Sequence, residues 1–223
     1  MKLIEYPDRE MMMINLANQL AGELRACLMA HDTASFAVPG GTTPGPIFDA
    51  LSAVDLNWSR IHVMLTDERW VPEDHPRSNT ALIRERLLKE RAAMAELVPL
   101  YAEAERPEDA LKALSKGIEP ELPISVLLLG MGADAHIASI FPEADNLSAA
   151  LEADAPPLMA MRAPGAEEPR VTLTARVLDD AMSKHIVITG AEKRETLERA
   201  RSQRRWEAPV RAVWSGAKVH WAE

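Results

Sequence analysis

The chain has 223 residues, of which 47% are hydrophobic and 26% charged, which is typical of a soluble globular protein with an apolar core. Its formal net charge of −9 disfavours nonspecific binding to nucleic acid. Cys27 is the only cysteine, and neither an apolar signal core nor a membrane-spanning apolar run is present. We therefore expect a cytoplasmic protein without nucleic-acid or membrane partners, with residues 1–223 forming a single catalytic domain.

The first half of the chain alternates helical and strand patterns. Apolar residues four apart predict a helix over residues 8–31, with Asp8 as its N-cap. The short strand SFAVPGG ends in a glycine turn before a short helix, TTPGPIFDALSA, and the apolar strand RIHVMLTDERW ends in polar residues. The segment SNTALIRERLLKERAAMAE predicts an amphipathic helix capped by Ser78 or Asn79.

The second half continues this alternation. The run ISVLLLGMG is typical of a parallel strand buried on both faces, and a short helix is predicted to begin near His136. Residues 145–168, which are rich in proline, are predicted to be a surface excursion with room for an edge element. We interpret RVTLTARVLDDAMSK as a strand end and a helix, HIVITG as a buried strand, AEKRETLERARSQ as a helix and PVRAVW as a last strand.

Strands that alternate with helices in this way indicate an α/β fold. We predict a doubly wound, mostly parallel, Rossmann-like sheet with helices on both faces. In such sheets ligands bind at the carboxyl ends of the strands. The segments that follow the strands, residues 40–44, 66–70, 130–136 and 190–193, are therefore expected to converge at one rim.

The glycine turn PGGTTPG is a candidate phosphate cradle. Gly40 and Gly41 would let backbone N–H groups approach an anion, Thr42 and Thr43 add hydroxyls, and a helix N-terminus follows. The turn lacks the lysine and spacing of a nucleotide-binding P-loop, which disfavours ATP or GTP. A simple tight turn remains an equal alternative.

Two cations follow other strands. Arg69, in LTDERWVPEDH, has a planar guanidinium suited to a phosphate or carboxylate. Lys193, in GAEKRETL, lies in a first helical turn, where a cation opposes the helix dipole unless an anion is near. The acidic residues around Arg69, with His75, lack the spacing of a closed metal shell, so no metal site is predicted. Solvated surface charges remain the alternative for both cations.

The stretch LLLGMGADAHIASIFP places a titratable pair at a strand end. Asp134 is predicted to cap the following helix, which puts His136 in its first turn, where the dipole disfavours imidazolium. A neutral imidazole suits a general base. A structural histidine is the alternative. The segment GMGADA also matches a loose dinucleotide fingerprint, but no acidic residue ends a strand about twenty positions later, which disfavours a nicotinamide cofactor.

Together these motifs resemble the 6-phosphogluconolactonase family, within the glucosamine-6-phosphate isomerase/6-phosphogluconolactonase superfamily. The resemblance runs in order from Phe36 to PVRAVW through VPGGTTP, LTDERWVP, SNTALIRERLL, GMGADAHIASIFP, RVTLTARVLDDA and GAEKRETL. The related glucosamine-6-phosphate deaminases share the fold, the glycine turn and the Asp-x-His pattern. They typically have a tyrosine after DE and the ending FNEP, where this chain has DERW and SIFP.

Two residues depart from the family's usual DGHTAS. Ala135 replaces the glycine, and we expect that it does not easily adopt a positive φ angle. Ile137 replaces the threonine, so a contact made by that hydroxyl would be absent. Because Ile137 also matches the deaminase version, the deaminase remains an alternative.

The resemblance implies hydrolysis of 6-phospho-D-glucono-1,5-lactone to 6-phosphogluconate in the oxidative pentose phosphate pathway, without metal or organic cofactor, by a monomer or homodimer. His136 would activate water, Asp134 would hold the imidazole or a sugar hydroxyl, and Asp67 would contact the substrate. The phosphate would be bound by Thr42, Thr43, Arg69 and Lys193, with Arg170 as a further candidate. The non-enzymatic alternative is a sugar-phosphate sensor domain, although no helix-turn-helix segment precedes the first strand.

Overall fold

The computed structural model describes residues 1–223 as ten strands and seven α-helices. The strands are β1 (Lys2–Glu5), β2 (Ala34–Val38), β3 (Ile61–Leu65), β4 (Asp67–Arg69), β5 (Glu96–Val98), β6 (Val126–Gly130), β7 (Leu158–Met161), β8 (Arg170–Leu173), β9 (Ser183–Thr189) and β10 (Lys218–Ala222). The helices are α1 (Arg9–Ala30), α2 (Gly45–Ser52), α3 (Asn79–Arg86), α4 (Pro107–Ile118), α5 (Leu147–Ala150), α6 (Ala175–Asp179) and α7 (Ala191–Ala200).

Seven strands form one parallel sheet in the order β1-β10-β9-β6-β2-β3-β5. The chain winds outward from β2 in one direction and from β6 in the other, so the topological switch point lies between these two strands. Crevices at such points receive ligands, because the loops after the two central strands diverge there. The predicted α/β fold with a mostly parallel sheet is confirmed.

The remaining three strands form a small antiparallel sheet in the order β4-β8-β7. The chain passes from the large sheet to the small one at Thr66, the single residue between β3 and β4. The Thr66 N–H donates to the Val38 carbonyl at 2.9 Å, and its own carbonyl accepts from the Leu173 N–H at 2.9 Å. One residue is therefore hydrogen-bonded to both sheets.

The core joins the parallel sheet to its helices in a cluster of 56 buried residues. The apolar face of α1 follows the predicted four-residue spacing, and Asp8 caps that helix by accepting from the Met11 N–H at 2.7 Å. Strand β2 is buried along its whole length, and β6 up to its final glycine, as their continuous apolar runs predicted. None of the helices combines the length and apolar composition that crossing a membrane requires.

The long helix predicted after Ser78 is shorter than expected. Ser78 is its N-cap, with Oγ accepting from the Ala81 N–H, but α3 ends at Arg86. The chain then turns, with the Leu87 and Leu88 N–H groups both donating to the Ile83 carbonyl, before a short 3-10 helix over Glu90–Met94. The amphipathic pattern continued past this turn because both segments bury apolar side chains.

One prediction in the C-terminal half is wrong. The segment PVRAVW is a 3-10 helix over Pro209–Val213, and the last strand is β10, which lies between β1 and β9. Residues 145–168, predicted as a surface excursion with room for an edge element, contain α5 and the largely buried edge strand β7. That strand pairs with β8 and so belongs to the small sheet. Strands β1 and β5 and helix α4 were not predicted.

Candidate active site

The segments that follow β2, β3, β6 and β9 line one cleft of about 230 Å³ at the carboxyl ends of the parallel strands. Nine of the ten predicted site residues line this cleft: Gly40, Gly41, Thr42, Thr43, Asp67, Arg69, His136, Arg170 and Lys193. The tenth, Asp134, is hydrogen-bonded to His136 at its edge. The structure therefore brings the predicted residues together.

The glycine turn leads directly into α2. Gly41 has a φ of +84°, a conformation that side chains disfavour, and Pro44 precedes the helix without a side-chain cap. A Cβ atom at Gly40 would lie 2.0 Å from Oδ1 of Asn79, so only glycine fits there. The backbone thus approaches the cleft closely, and the uncapped N-terminus of α2 leaves N–H groups for an anion.

Glu68 ties the acidic strand to the start of α3 and was not predicted to have a role. Its carboxylate is fully buried and accepts from the backbone N–H groups of Arg69, Asn79 and Thr80 at 2.7–2.8 Å, and from the Thr80 hydroxyl. Burial raises the pKa of Glu68, and these hydrogen bonds offset part of that rise. The sequence feature that could have indicated this anchoring role is a carboxylate eleven residues before the start of a helix.

Asp67 connects the small sheet to the histidine segment. Its Oδ2 accepts from the Ser139 hydroxyl at 2.5 Å, its Oδ1 accepts from the Thr66 hydroxyl at 3.1 Å, and its backbone carbonyl accepts from Asn79 Nδ2 at 2.9 Å. The residue is only 5% exposed. Asp67 therefore lines the cleft with most of its hydrogen-bonding capacity already used within the protein.

The cations of the cleft lack full compensation. Arg69 lies directly opposite Arg170 in the β4–β8 pair, and the Nε atoms of both are buried without a hydrogen-bond partner. Arg69 Nη1 donates to the Arg77 carbonyl at 2.8 Å, and Arg170 Nη1 lies 3.8 Å from the Asp67 carboxylate. Lys193 makes no ion pair. Burial lowers the pKa of Arg170, which is the cost of holding a cation away from water.

The helix predicted near His136 does not form. Residues 131–141 are a loop in which the Gly132 N–H donates to the His136 carbonyl at 3.0 Å. Ala135 has a φ of +65°, contrary to expectation, and its carbonyl accepts from the Val210 N–H at 3.0 Å. The Thr196 hydroxyl holds the Ala133 carbonyl at 3.0 Å. Contacts from distant parts of the chain therefore impose the left-handed conformation despite its steric cost.

Asp134 orients the imidazole of His136. Its Oδ1 lies 2.6 Å from Nδ1 of His136, and because a carboxylate can only accept, Nδ1 carries the hydrogen. Nε2 is then an acceptor with no partner in the protein. Burial acts to raise the pKa of Asp134, but the hydrogen bonds that it accepts from the His136 side chain and backbone outweigh this effect and hold that pKa below its ordinary value. Asp134, not a helix dipole, therefore fixes the orientation of the imidazole.

Gly132 lies beside this pair. A Cβ atom there would fall 2.2 Å from Nδ1 of His136 and 2.6 Å from Oδ1 of Asp134. The Phe141 ring packs against the His136 imidazole, and the two ring centroids lie 4.3 Å apart. No group of three or more His, Cys, Asp or Glu side chains is placed to hold a metal ion. The arrangement can bind a small anion and accept one proton beside it.

Comparisons with known proteins agree with this arrangement. Residues 7–221 match the family model described as glucosamine-6-phosphate isomerases/6-phosphogluconolactonase. A 6-phosphogluconolactonase of Rhizobium meliloti is 42% identical over 215 residues, covering 93% of this chain and 92% of the relative. One of Mesorhizobium japonicum is 39% identical, covering 97% and 93%. The crystal structure of a 6-phosphogluconolactonase from Shewanella baltica has a TM-score of 0.96 at 28% identity, covering 100% and 97%.

Proposed function

The chain belongs to the glucosamine-6-phosphate isomerase/6-phosphogluconolactonase family, and from this premise we propose that it hydrolyses 6-phospho-D-glucono-1,5-lactone to 6-phosphogluconate. The observation that carries the proposal is one cleft lined both by under-compensated cations and by an imidazole with a free acceptor nitrogen. The first feature suits an anionic phosphate, and the second suits the activation of water. The named relatives support the lactone as the substrate.

The phosphate is bound, in this proposal, by the glycine turn and the cations. Gly40, Gly41, Thr42 and Thr43 offer N–H groups and hydroxyls, and Arg69, Arg170 and Lys193 supply the positive charge. The opposed arginines support this assignment, because like charges directly across a strand pair are unfavourable without an anion between them. Binding energy from the phosphate then holds the lactone carbonyl near His136.

His136 acts as the general base. Nε2 takes a proton from water as the water oxygen attacks the lactone carbonyl carbon, which gives a tetrahedral intermediate. The ring C–O bond then breaks, and the imidazolium returns the proton to the departing oxygen, which becomes a hydroxyl of 6-phosphogluconate. Asp134 stabilises the imidazolium through Nδ1. A positioned base of this kind typically accelerates a reaction by about 10²- to 10⁴-fold.

Asp67 acts mainly through its neighbours in this proposal. Because its oxygens accept from Ser139 and Thr66, its contact with substrate is limited to the exposed edge of the carboxylate. Its charge lies 3.8 Å from Arg170 and partly compensates that guanidinium. Asp67 thereby orients a substrate-binding cation while it anchors the histidine segment.

The cellular setting is likewise proposed. We assign the reaction to the oxidative pentose phosphate pathway in the cytoplasm, as a reaction of one catalytic domain over residues 1–223, acting as a monomer or homodimer without a cofactor. A single free cysteine supports a reducing compartment. One contiguous hydrophobic cluster supports a single domain.

One coupled assay tests the activity. The lactone is generated in place with glucose-6-phosphate dehydrogenase, and its disappearance is followed with and without this protein. The expected result is a faster disappearance that scales with protein concentration. A rate equal to spontaneous hydrolysis refutes the proposal. Ammonia release from glucosamine 6-phosphate would instead indicate the deaminase, and sugar-phosphate binding without turnover would indicate a sensor.

A further inference from the structure

Phe141, which the mechanism above does not use, contacts two of the side chains that it does use. Its ring centroid lies 4.3 Å from that of His136, with the two ring planes tilted by 40°. The guanidinium carbon of Arg170 lies over the same ring, 5.3 Å from its centroid. A single phenyl ring therefore contacts both the proposed base and a proposed substrate-binding cation.

A tight chain reversal brings this ring onto the histidine. Ile137 and Ile140 form a β-bridge, and the Ile140 N–H donates to the Ile137 carbonyl at 2.9 Å. Within the reversal, the Ser139 hydroxyl is held by Asp67. Five residues after His136, the chain has thus returned to it, and the small sheet fixes the return. The contact between the Phe141 and His136 rings is therefore imposed by the fold and is not a chance surface contact.

The ring also borders a second cavity. Phe141 and Asp134 both line a second cavity of about 390 Å³, on which Glu143 and Glu207 also border, whereas His136 lines the main cleft. Phe141 and Asp134 therefore border this second cavity, whereas the imidazole that both of them contact faces the main cleft.

The contacts of Phe141 with His136 and Arg170 restrain these side chains in ways that their hydrogen bonds do not. The bond from His136 Nδ1 to Asp134 fixes one atom of the imidazole, and a packed ring face restricts the tilt of its plane. Arg170 has an unpartnered Nε and only a loose ion pair with Asp67, so a cation–π contact is a substantial part of what holds its guanidinium.

We propose that Phe141 is a positioning residue for the reaction proposed above, on which this inference rests. Its ring sets the plane of the His136 imidazole and the location of the Arg170 guanidinium together. The base and the cation are thereby kept in one fixed relation, so a bound sugar phosphate presents its carbonyl to Nε2 in a single geometry.

Phe141→Leu is the main test, because leucine keeps apolar bulk and removes the ring. We expect kcat to fall about tenfold as the imidazole loses its fixed plane. We expect KM to rise about two- to fivefold, the effect of losing one cation–π contact. Phe141→Tyr keeps the ring and should restore both constants to within about threefold of the wild type.

Phe36→Leu is the matched control. Phe36 is fully buried in β2, so the same chemical change should lower thermal stability more than at Phe141 while leaving kcat and KM unchanged. Three outcomes would overturn the proposal: wild-type kinetics in Phe141→Leu, an equal loss in Phe141→Tyr, or an equal loss of kcat in Phe36→Leu.

A proton NMR measurement decides the question independently of turnover. In the free protein, the ring current of Phe141 should shift the Hε1 resonance of His136, which is assigned by its loss in His136→Gln. That shift should disappear in Phe141→Leu and persist in Phe141→Tyr; an unchanged resonance in Phe141→Leu refutes the contact. A wild type that does not hydrolyse the lactone refutes the proposed function, whereas an unchanged resonance in Phe141→Leu of an active protein refutes only the positioning by Phe141.

Discussion

Two histidine sites of the molecule differ in how many of their ring nitrogens have hydrogen-bond partners. His136 has one ring nitrogen bonded to Asp134 and the other free in the cleft. His185 and His220 are fully buried, and all four of their ring nitrogens are engaged. His185 lies 2.7 Å from Glu23 and 3.0 Å from His220, which in turn lies 2.9 Å from the Tyr6 hydroxyl.

The order of hydrogens in the buried cluster follows from its carboxylate. Glu23 can only accept, so Nε2 of His185 carries a hydrogen, and in the neutral ring its Nδ1 accepts from Nε2 of His220. Nδ1 of His220 then accepts from Tyr6. Lys218 completes the cluster at 2.9 Å from Glu23. Every polar group has a partner, so this cluster has nothing left with which to bind a ligand.

The two sites contain the same residue type and differ in unmet hydrogen-bonding capacity, which is what makes the cleft the candidate binding site. Buried polar groups are almost always paired in folded proteins, and exceptions call for an explanation. The exceptions in this chain include the Nε atoms of Arg69 and Arg170, both in the cleft. The two sites should therefore respond to mutation in opposite ways.

The largest effect should come from the two histidines themselves. His136→Ala should lower kcat by about 10²- to 10⁴-fold with little change in stability, because the side chain lies on a loop at the cleft. His220→Ala should have the opposite effect. Its buried hydrogen-bond partners would be left unpaired, so the free energy of unfolding should fall by about 1–3 kcal/mol while kcat of the folded protein is unchanged. Saturation kinetics and urea unfolding measure both. Full turnover in His136→Ala would remove it as the base.

The next largest difference should appear when a cation of the cleft is compared with a cation of the buried histidine cluster. Arg69→Ala should raise KM about 10- to 100-fold, the loss of a charge-assisted hydrogen bond to phosphate, with a much smaller change in kcat. Lys218→Ala removes the same charge from the buried cluster and should leave KM unchanged. Steady-state kinetics on the lactone make the comparison. An equal rise in KM for both variants would show that net charge, not the cleft, controls binding.

Glycine substitutions test whether the close packing beside His136 and Asp134 matters for activity. Gly132→Ala should lower kcat by about tenfold or more, because its Cβ would displace the imidazole or Asp134. Gly117 lies in α4 with no atom within 4 Å of an added Cβ, so Gly117→Ala should raise helix stability by up to about 1 kcal/mol without affecting kcat. Normal activity in Gly132→Ala would mean that the loop moves freely.

The buried cluster should make stability depend on pH. Burial, with a smaller contribution from the neighbouring Lys218 charge, lowers the pKa of His220 to about 3. Below about pH 6.5, only the unfolded state binds this proton, so stability should fall by roughly 1.4 kcal/mol per pH unit as the pH drops towards 3. Hydrogen bonds from His185, Lys218 and Ser183 overcome the effect of burial and hold the pKa of Glu23 below its usual range, which steepens the loss below about pH 4.5.

Urea unfolding at pH 7 and pH 5.5 measures this dependence. His220→Gln removes the titrating ring and should flatten the slope between these values, although the variant starts from a lower stability. Equal wild-type stability at both pH values would contradict the assignment of a neutral, buried imidazole.

The smallest effect should come from the backbone of the histidine loop. Ala135→Gly removes the steric strain of an alanine in the left-handed conformation but increases the entropy of the unfolded chain. The free energy of unfolding should therefore rise by at most about 1 kcal/mol. Ala133→Gly, on the same loop without a positive φ, should instead cost about 0.4–1 kcal/mol. Thermal unfolding separates the two. A loss of stability in Ala135→Gly would indicate that the loop is not strained there.

Continuous apolar runs made much of the fold predictable. Strands β2, β6 and β9 are buried on both faces, so their sequences carry an unambiguous signal, and a glycine turn or polar residues mark where each ends. The location of the cleft followed from the shared direction of parallel strands. Short or half-polar elements such as β1 and β5 gave no such signal, because neighbouring strands rather than local sequence determine them.

Contacts between distant residues could not be predicted from one sequence. The loop at His136 is non-helical because Val210 and Thr196, more than fifty residues away, hold its carbonyls. Glu68 is a buried anchor only because the start of α3 folds back onto it. His185 and His220 come together through the pairing of β9 with β10, and nothing in their local sequences indicates a shared cluster.

The single residue between the two sheets has a mechanical consequence. Thr66 is bonded on one side to β2 and on the other to the end of β8, so the small sheet cannot tilt away from the large one without breaking these bonds. The glycine turn after β2 and the opposed arginines of β4 and β8 lie on different sides of this joint. A large change in the distance between them would therefore require the two hydrogen bonds of Thr66 to break.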